Sequence, residues 1–247
     1  MSITGRHVVV TGGGSGVGAA IAQAFAREGA KVNIMGRTKS RLEEQNLPFQ
    51  VCDVTDTGSI KESFEAARKL SGPVDIVVAN AGAAESVPFA KLTSEKLNEM
   101  LDVNLHGVVY SWQAGLEDMK HAGWGRLIAI ASTAGTKGYP YVSAYCAAKH
   151  GVVGLTRALA IELADTGITA NAICPGFVET PLLERSINNI VNKTGMTADE
   201  AKNALKSGNP QKRFIQPEEV ANTALWIASD EAKSMNGHAL LLSGGEI

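Results

Sequence analysis

The stretch Arg6-His7-Val8-Val9-Val10-Thr11-Gly12-Gly13-Gly14-Ser15-Gly16-Val17-Gly18 decides the fold. Its first half is a short β-branched run that reads as a buried parallel strand. Its second half is a glycine turn, and an Ala-rich helical stretch from Ala19 to Glu28 follows. Strand, glycine turn and helix in that order make one nucleotide-binding unit. Glycines let the backbone approach a pyrophosphate, and the first turn of the helix has free N–H groups to offer it. The spacing is Thr-Gly-x-x-x-Gly-x-Gly rather than Gly-x-Gly-x-x-Gly. A glycine turn after a strand is also simply a tight turn, so the unit needs support from the rest of the chain.

That support is a repeating alternation. Runs at 31–35, 49–52, 74–79, 126–132, 168–174 and 238–242 join 6–11 as strand candidates, with helical stretches between them. Parallel strands need such crossovers, so residues 1–247 read as a single α/β domain. The stretch 180–212 breaks the rhythm: 182–193 and 197–206 both look helical, with no strand between. They are either a mobile flap or a fixed pair of surface helices. Helical order resumes at Pro217-Glu218-Glu219, where proline suits a first turn and the acids suit a helix N-terminus.

Composition narrows the class. An apolar content of 45% supports a sizeable core, and 19% charged residues is low enough to suggest a large subunit interface. A net charge of −2 with scattered signs argues against a nucleic-acid partner. No apolar run approaches the roughly 18–20 residues of a membrane span, and residues 1–6 lack a signal peptide's apolar stretch. Cys52, Cys146 and Cys174 are far apart and odd in number, which suggests buried thiols in a reducing, cytoplasmic compartment. Cys146 adjoins Tyr145 and reads as a packed thiol or a nucleophile.

Tyr145 and Lys149 stand four residues apart in the helix-like segment 143–149, with Ser132 at the end of a strand-like run. Positions i and i+4 share a helix face. A phenol and an ammonium so placed can act on one substrate oxygen: the phenol gives or takes a proton and the ammonium favours the phenolate.

With these motifs in order, the chain resembles the short-chain dehydrogenase/reductase family over nearly all its length. Thr11-Gly12-x-x-x-Gly16-x-Gly18 is similar to the family's cofactor turn and Asn80-Ala81-Gly82 to its Asn-Ala-Gly motif, although Ala79 stands where Asn is more usual. Asn104, Ser132, Tyr145 and Lys149 fall where its catalytic tetrad is expected. Pro175-Gly176 and Thr180 match the segment over the nicotinamide. The resemblance implies a Rossmann-type, doubly wound sheet of seven parallel strands in the order 3-2-1-4-5-6-7. It also implies a small helical substrate lid at about 180–212, a homotetramer with its last helix and strand at an interface, and no metal.

The cofactor expected is NADP(H). NAD-dependent members usually carry an acid after the second strand; this chain has Gly36, then Arg37 and Thr38, a guanidinium and a hydroxyl suited to a 2′-phosphate. Ser15 stands near a position where many NADP-dependent relatives have a basic residue. Asp53 resembles the acid that binds the adenine amine, or else caps the turn before the next helix. Ser15, Val17, Val54, Ala81, Gly82 and Val178 complete the expected cofactor contacts, with Asn80 holding backbone around the adenosine ribose.

The reaction implied is hydride transfer between NADP(H) and a ketone or secondary alcohol. Ser132 and Tyr145 hold the substrate oxygen and Tyr145 moves the proton, its pKa lowered by Lys149 and the oxidised nicotinamide. Lys149 also holds the nicotinamide ribose, and Asn104 kinks its helix and anchors a water leading to solvent. The segments 149–156 and 167–181 look like 3-hydroxybutyrate dehydrogenases, 3-oxoacyl reductases and aromatic polyketide ketoreductases. Where the hydroxybutyrate enzymes place His and Lys for a carboxylate, this chain has Ala134 and Val142. Ala134, Tyr139, Tyr141, Val142, Phe177 and Leu182 read as an apolar, partly aromatic wall, or as core or interface. The wall suits a 3-oxoacyl thioester, a cyclic ketone or an aryl ketone. The alternatives are an NAD(P)-dependent secondary-alcohol dehydrogenase of 3-hydroxyacid type working oxidatively, and a non-catalytic NADP sensor of the same fold.

Overall fold

The computed structural model describes residues 3–247. Seven strands form one sheet: β1 His7–Thr11, β2 Lys31–Gly36, β3 Phe49–Val51, β4 Ile76–Ala79, β5 Gly125–Ile130, β6 Ile168–Pro175 and β7 Ala239–Leu242. Their order is β3-β2-β1-β4-β5-β6-β7 and every neighbouring pair is parallel. All seven expected strands are present. The fourth starts only at Ile76, and the fifth ends at Ile130, which leaves Ser132 in the loop beyond the sheet.

Nine α-helices accompany the strands: α1 Gly16–Arg27, α2 Lys39–Glu43, α3 Thr57–Ser71, α4 Ser94–Leu101, α5 Gly107–Ala122, α6 Ser143–Glu162, α7 Pro181–Thr194, α8 Ala198–Ser207 and α9 Pro217–Ala228. They cover both faces of the sheet, which is why β1, β4, β5 and β6 are buried along their whole length and read as continuous apolar runs. Successive residues still take opposite faces. Val8 and Val10 pack with Ile21, Phe25 and Ala224 from α1 and α9, while Val9 packs with Phe64 and Trp112 from α3 and α5.

The strand order turns back between β1 and β4, which leaves a crevice beyond their carboxyl ends. The glycine turn, Asn80–Gly82, Ser132 and Gly176 all follow strands at that end. Between α4 and α5 the helix widens into a π turn over Asp102–His106. The helices at 181–194 and 198–207 are not separated by a strand, and they share a small core of Leu183, Ile187, Ala201 and Phe214. Cys52 and Cys174 are buried free thiols; Cys146 is free but only half-buried, against the expectation of a buried thiol. Among the described residues, no helix is long and apolar enough to cross a membrane.

Candidate active site

Asn80 staples the ends of β1 and β4. Its Nδ2 donates to the carbonyls of Thr11 at 3.0 Å and Gly12 at 3.2 Å. In return Thr11 Oγ1 accepts the N–H groups of Asn80 at 3.1 Å and Ala81 at 3.2 Å. The Asn80 side chain therefore ties the glycine turn to the end of β4. Gly12 and Gly16 have φ of 66° and 54°, a region that side chains disfavour. At Gly18 a Cβ would lie 2.3 Å from the Gly12 carbonyl oxygen and 2.4 Å from Asn80 Nδ2. Only glycine fits there, so the first turn of α1 lies directly on the turn that precedes it. Ser15 is the N-cap of α1, in extended conformation, and its hydroxyl makes no capping bond. Val17 packs at the edge of the core around α1. Across the crevice, a Cβ at Gly16 would touch Thr180 at 3.2 Å, so the glycine turn faces the start of α7.

The loop after β2 leaves Arg37 and Thr38 exposed, and Thr38 caps α2 without using its side chain. Asp53 Oδ1 accepts from the Thr55 N–H at 3.0 Å and the Thr55 hydroxyl at 2.8 Å. The Thr55 N–H, helped by the Arg37 charge nearby, holds that carboxyl below the usual range. Asp53 thus caps the turn before α3, as the alternative reading had it, and Asp56 is the N-cap of the helix itself, accepting from Gly58 N at 2.7 Å and Ser59 N at 3.2 Å. Val54 is 5% exposed, and a Cβ on Gly107 would come within 2.8 Å of it, so its side chain belongs to the core rather than to a cofactor contact. Two residues overlooked at sequence level join this loop. Gln45 Nε2 donates to the Gly14 carbonyl at 3.2 Å, and a Cβ on Gly14 would lie 3.3 Å from the backbone and Cβ of Arg41. Arg41 follows Arg37 by four residues, a helical spacing that was available as a signal.

The expected tetrad converges. Ser132 Oγ accepts from Ala134 N at 3.1 Å, and its hydroxyl lies close enough to the Tyr145 phenol to lower its pKa. Lys149 is 3% exposed; its Nζ donates to the Ile130 carbonyl at 2.8 Å and lies 5.6 Å from the Tyr145 ring centroid. Asn104 is fully buried in the π turn. Its Nδ2 donates to the carbonyls of Ala83 at 2.9 Å and Met100 at 3.0 Å, and its Oδ1 accepts from Ala83 N at 3.3 Å. The widened turn frees the Met100 carbonyl for this bond. A Cβ on Gly82 would be 2.8 Å from Asn104 Oδ1 and 3.8 Å from Lys149 Nζ, so the three residues meet at one point.

Burial dominates the electrostatics. It pushes the Tyr145 phenol up to about 12, with the Ser132 hydrogen bond opposing, and it brings Lys149 down to about 8. The Lys149 ammonium donates to the Ile130 carbonyl, and desolvation of the phenolate sets the direction of the Tyr145 shift. Within the folded chain Tyr145 is a phenol, a proton donor. Beneath this group the Cys174 thiol is raised to about 11 by burial.

The expected apolar wall is more polar than its sequence suggests. Tyr139 stacks edge-on against Phe177 at 6.4 Å, but its hydroxyl is shared between Thr133 Oγ1 at 2.7 Å and Glu246 Oε1 at 2.8 Å. Ala134 is 3% exposed and belongs to the buried loop, not to an open wall. Tyr141 is 65% exposed, with φ of 68°, and its carbonyl accepts from Val87 N at 2.7 Å. Val142 and Leu182 are half-buried, as is Gly176. Val178 pairs with Ile215 in a single bridge, and the Thr180 hydroxyl donates to the Val178 carbonyl at 3.2 Å.

A family model described as "Enoyl-(Acyl carrier protein) reductase" matches residues 11–246. The D-beta-hydroxybutyrate dehydrogenase of Rhizobium meliloti (strain 1021) is 35% identical over 252 residues, covering 97% of this chain and 98% of the relative. The "Monensin polyketide synthase putative ketoacyl reductase" of Streptomyces virginiae is 38% identical over 253 residues, covering 98% and 97%. A crystal structure of an actinorhodin polyketide ketoreductase variant with NADPH superposes with a TM-score of 0.93 at 34% identity, over 98% of this chain and 97% of that one. From the glycine turn to the C-terminal tail, the match is continuous: this chain belongs to the short-chain dehydrogenase/reductase family, oxidoreductases of hydroxyl and keto groups.

Proposed function

We propose that this chain is an NADP(H)-dependent ketone reductase with Tyr145 as the general acid. One observation carries the reading: Ser132, Tyr145, Lys149 and Asn104 meet at the switch point of the sheet, with the phenol held protonated by burial. NADPH, when bound, supplies a hydride to the carbonyl carbon. Ser132 and Tyr145 hydrogen-bond the carbonyl oxygen, which gains negative charge, and Tyr145 gives it the proton. Lys149 anchors the nicotinamide ribose and favours the phenolate left behind. Asn104 holds the end of the proton path from Lys149.

The residues fit the dinucleotide. Thr11, Gly12, Ser15, Gly16, Val17 and Gly18 offer a close-approach turn to the pyrophosphate. Asp53 keeps Oδ2 for the adenine amine, and Asn80, Ala81 and Gly82 border the crevice. Pro175, Gly176, Val178 and Thr180 close it from the opposite side. Arg37 and Thr38 take the 2′-phosphate. Arg41, whose backbone and Cβ lie beside Gly14, supports this reading by adding a second basic residue on the start of α2, one turn after Arg37. Helices α7 and α8 serve as the substrate lid. The substrate is a cyclic or aryl ketone or a 3-oxoacyl thioester, facing Tyr139, Tyr141, Val142, Phe177 and Leu182. We further infer a cytoplasmic homotetramer; exposed Trp226 on α9 and Leu241 on β7, at 39% and 41%, support an interface there.

Initial rates at 340 nm test the reading, with NADPH and NADH against acetoacetate, a 3-oxoacyl thioester, an aryl ketone and a bicyclic ketone. NADPH with a bulky ketone or thioester is the expected pair, and Tyr145→Phe should bind NADPH yet lose most turnover. Preference for NADH, or for acetoacetate alone, favours the second reading, an oxidative secondary-alcohol dehydrogenase, for which the 35% identity to a hydroxybutyrate enzyme speaks.

A further inference from the structure

The C-terminal tail returns a carboxylate to the site. Glu246 lies four residues beyond the end of β7, yet its side chain is only 7% exposed. Oε1 is doubly bonded, accepting from the Tyr139 hydroxyl at 2.8 Å and from Lys137 Nζ at 2.7 Å. Lys137 in turn lies 4.8 Å over the Tyr139 ring. Oε2 makes no hydrogen bond to the described residues and stays open to solvent. It points toward Gly176, where an added Cβ would lie 3.5 Å away, in the segment between β6 and the lid. On the other side, Thr133 adjoins Ser132 and bonds the same Tyr139 hydroxyl at 2.7 Å. One nearly buried carboxylate thus links the loop after Ser132, the Gly176–Phe177 segment and the base of α8, where a Cβ on Gly208 would be 3.2 Å from Oε1.

Lys137 and Tyr139 occupy Oε1, which leaves Oε2 as an open acceptor beside the Gly176–Phe177 segment, where a ligand's donor can displace water. We propose that Glu246 is a specificity-determining residue: its free oxygen accepts a hydrogen bond from a hydroxyl on a neutral ketone substrate, at the end remote from the carbonyl. The same charge rejects substrates that carry a carboxylate at that end. The inference rests on the ketone-reductase reading and deepens it from apolar ketones to hydroxylated ones.

The test is a set of bicyclic ketones bearing, at each remote ring position, a hydroxyl, a hydrogen or a carboxylate. The expected kcat/KM order is hydroxyl, hydrogen, carboxylate, with the hydroxyl preferred about 10- to 100-fold over hydrogen at one position, the range of a hydrogen bond to a charged group. Glu246→Gln, which keeps the shape and the Tyr139 contact, should cut that preference to a few-fold and raise kcat/KM for the carboxylate about tenfold. A common factor across all three ketones means that the tail acts only as structure, and overturns the proposal. Wild-type turnover that ignores the hydroxyl at every position overturns it too, while leaving the reductase reading standing. No turnover of any ketone with either dinucleotide refutes both.

Discussion

Replacing Gly18 with alanine tests how the dinucleotide crevice is built. The new methyl would sit 2.3 Å from the Gly12 oxygen and 2.4 Å from Asn80 Nδ2. Ordinary contact needs roughly 1 Å more, and neither neighbour is the loose end of a flexible chain. The Asn80 amide must leave both of its acceptors, now at 3.0 and 3.2 Å. Overpacking costs about 1–3 kcal/mol and two lost hydrogen bonds about 1 kcal/mol each. Alanine's better helix propensity returns up to about 1 kcal/mol. The net loss is about 2–4 kcal/mol, a fall in Tm of about 5–15 °C for a domain this long. Thermal unfolding at fixed protein concentration measures it, alongside NADPH fluorescence titration, which should weaken in parallel. Gly138→Ala is the matched control, since no atom lies within 4 Å of its added Cβ; it should change stability by less than about 0.5 kcal/mol. Equal midpoints for the two variants would refute the idea that close approach of α1 to the turn is what demands glycine.

Other expectations can be measured alongside. Arg37→Ala should raise the Michaelis constant for NADPH about 10- to 100-fold and that for NADH little; equal changes in both remove the 2′-phosphate contact. Lys149→Met should abolish turnover but stabilise the chain without dinucleotide by about 1–3 kcal/mol at pH 7. Lowering the buried amine from 10.5 to about 8 corresponds to roughly 3 kcal/mol, less about 1 kcal/mol for the lost bond to Ile130. Because the folded pKa is the lower one, that penalty is full below about pH 8 and fades as pH rises toward the ordinary lysine value. Denaturation of both proteins from pH 6 to 10 should show the gap closing; a constant gap contradicts the assignment. Light scattering should give a tetramer's mass, and a monomer would remove the proposed interface.

Much of the fold could be read from the chain because burial on both sides writes it plainly. Val8, Val9 and Val10 have no solvent face, so the strand needs no alternation to be recognised, only a turn at its end. The glycines were readable for the same steric reason. Contacts between distant loops were not. Nothing in Ser243-Gly244-Gly245-Glu246 announces that Glu246 reaches Tyr139, and the tyrosine hydroxyl looked available until its partner was seen. Ala134 and Val54 have the composition of a pocket wall and a cofactor contact, yet tertiary packing buries both. Asp53 and Asp56 look alike as helix caps; only the hydrogen bonds separate them. Tyr145 and Lys149 were placed correctly relative to each other by helix geometry, but the direction of the tyrosine's pKa depends on burial by distant packing, which local spacing does not reveal.

The wide turn at Asp102–His106 amounts to one surplus residue in a helix that otherwise runs from Ser94 to Ala122. Because the wider turn spends that residue without adding rotation, deleting a single codon there would restore regular winding and leave the downstream faces where they are. Trp112, Gly115 and Met119 would still face the sheet. The packing register of α5 is therefore independent of the insertion that carries Asn104. The core of the protein does not demand the bulge, so what holds Asn104 in place is the set of bonds it makes to Ala83 and Met100.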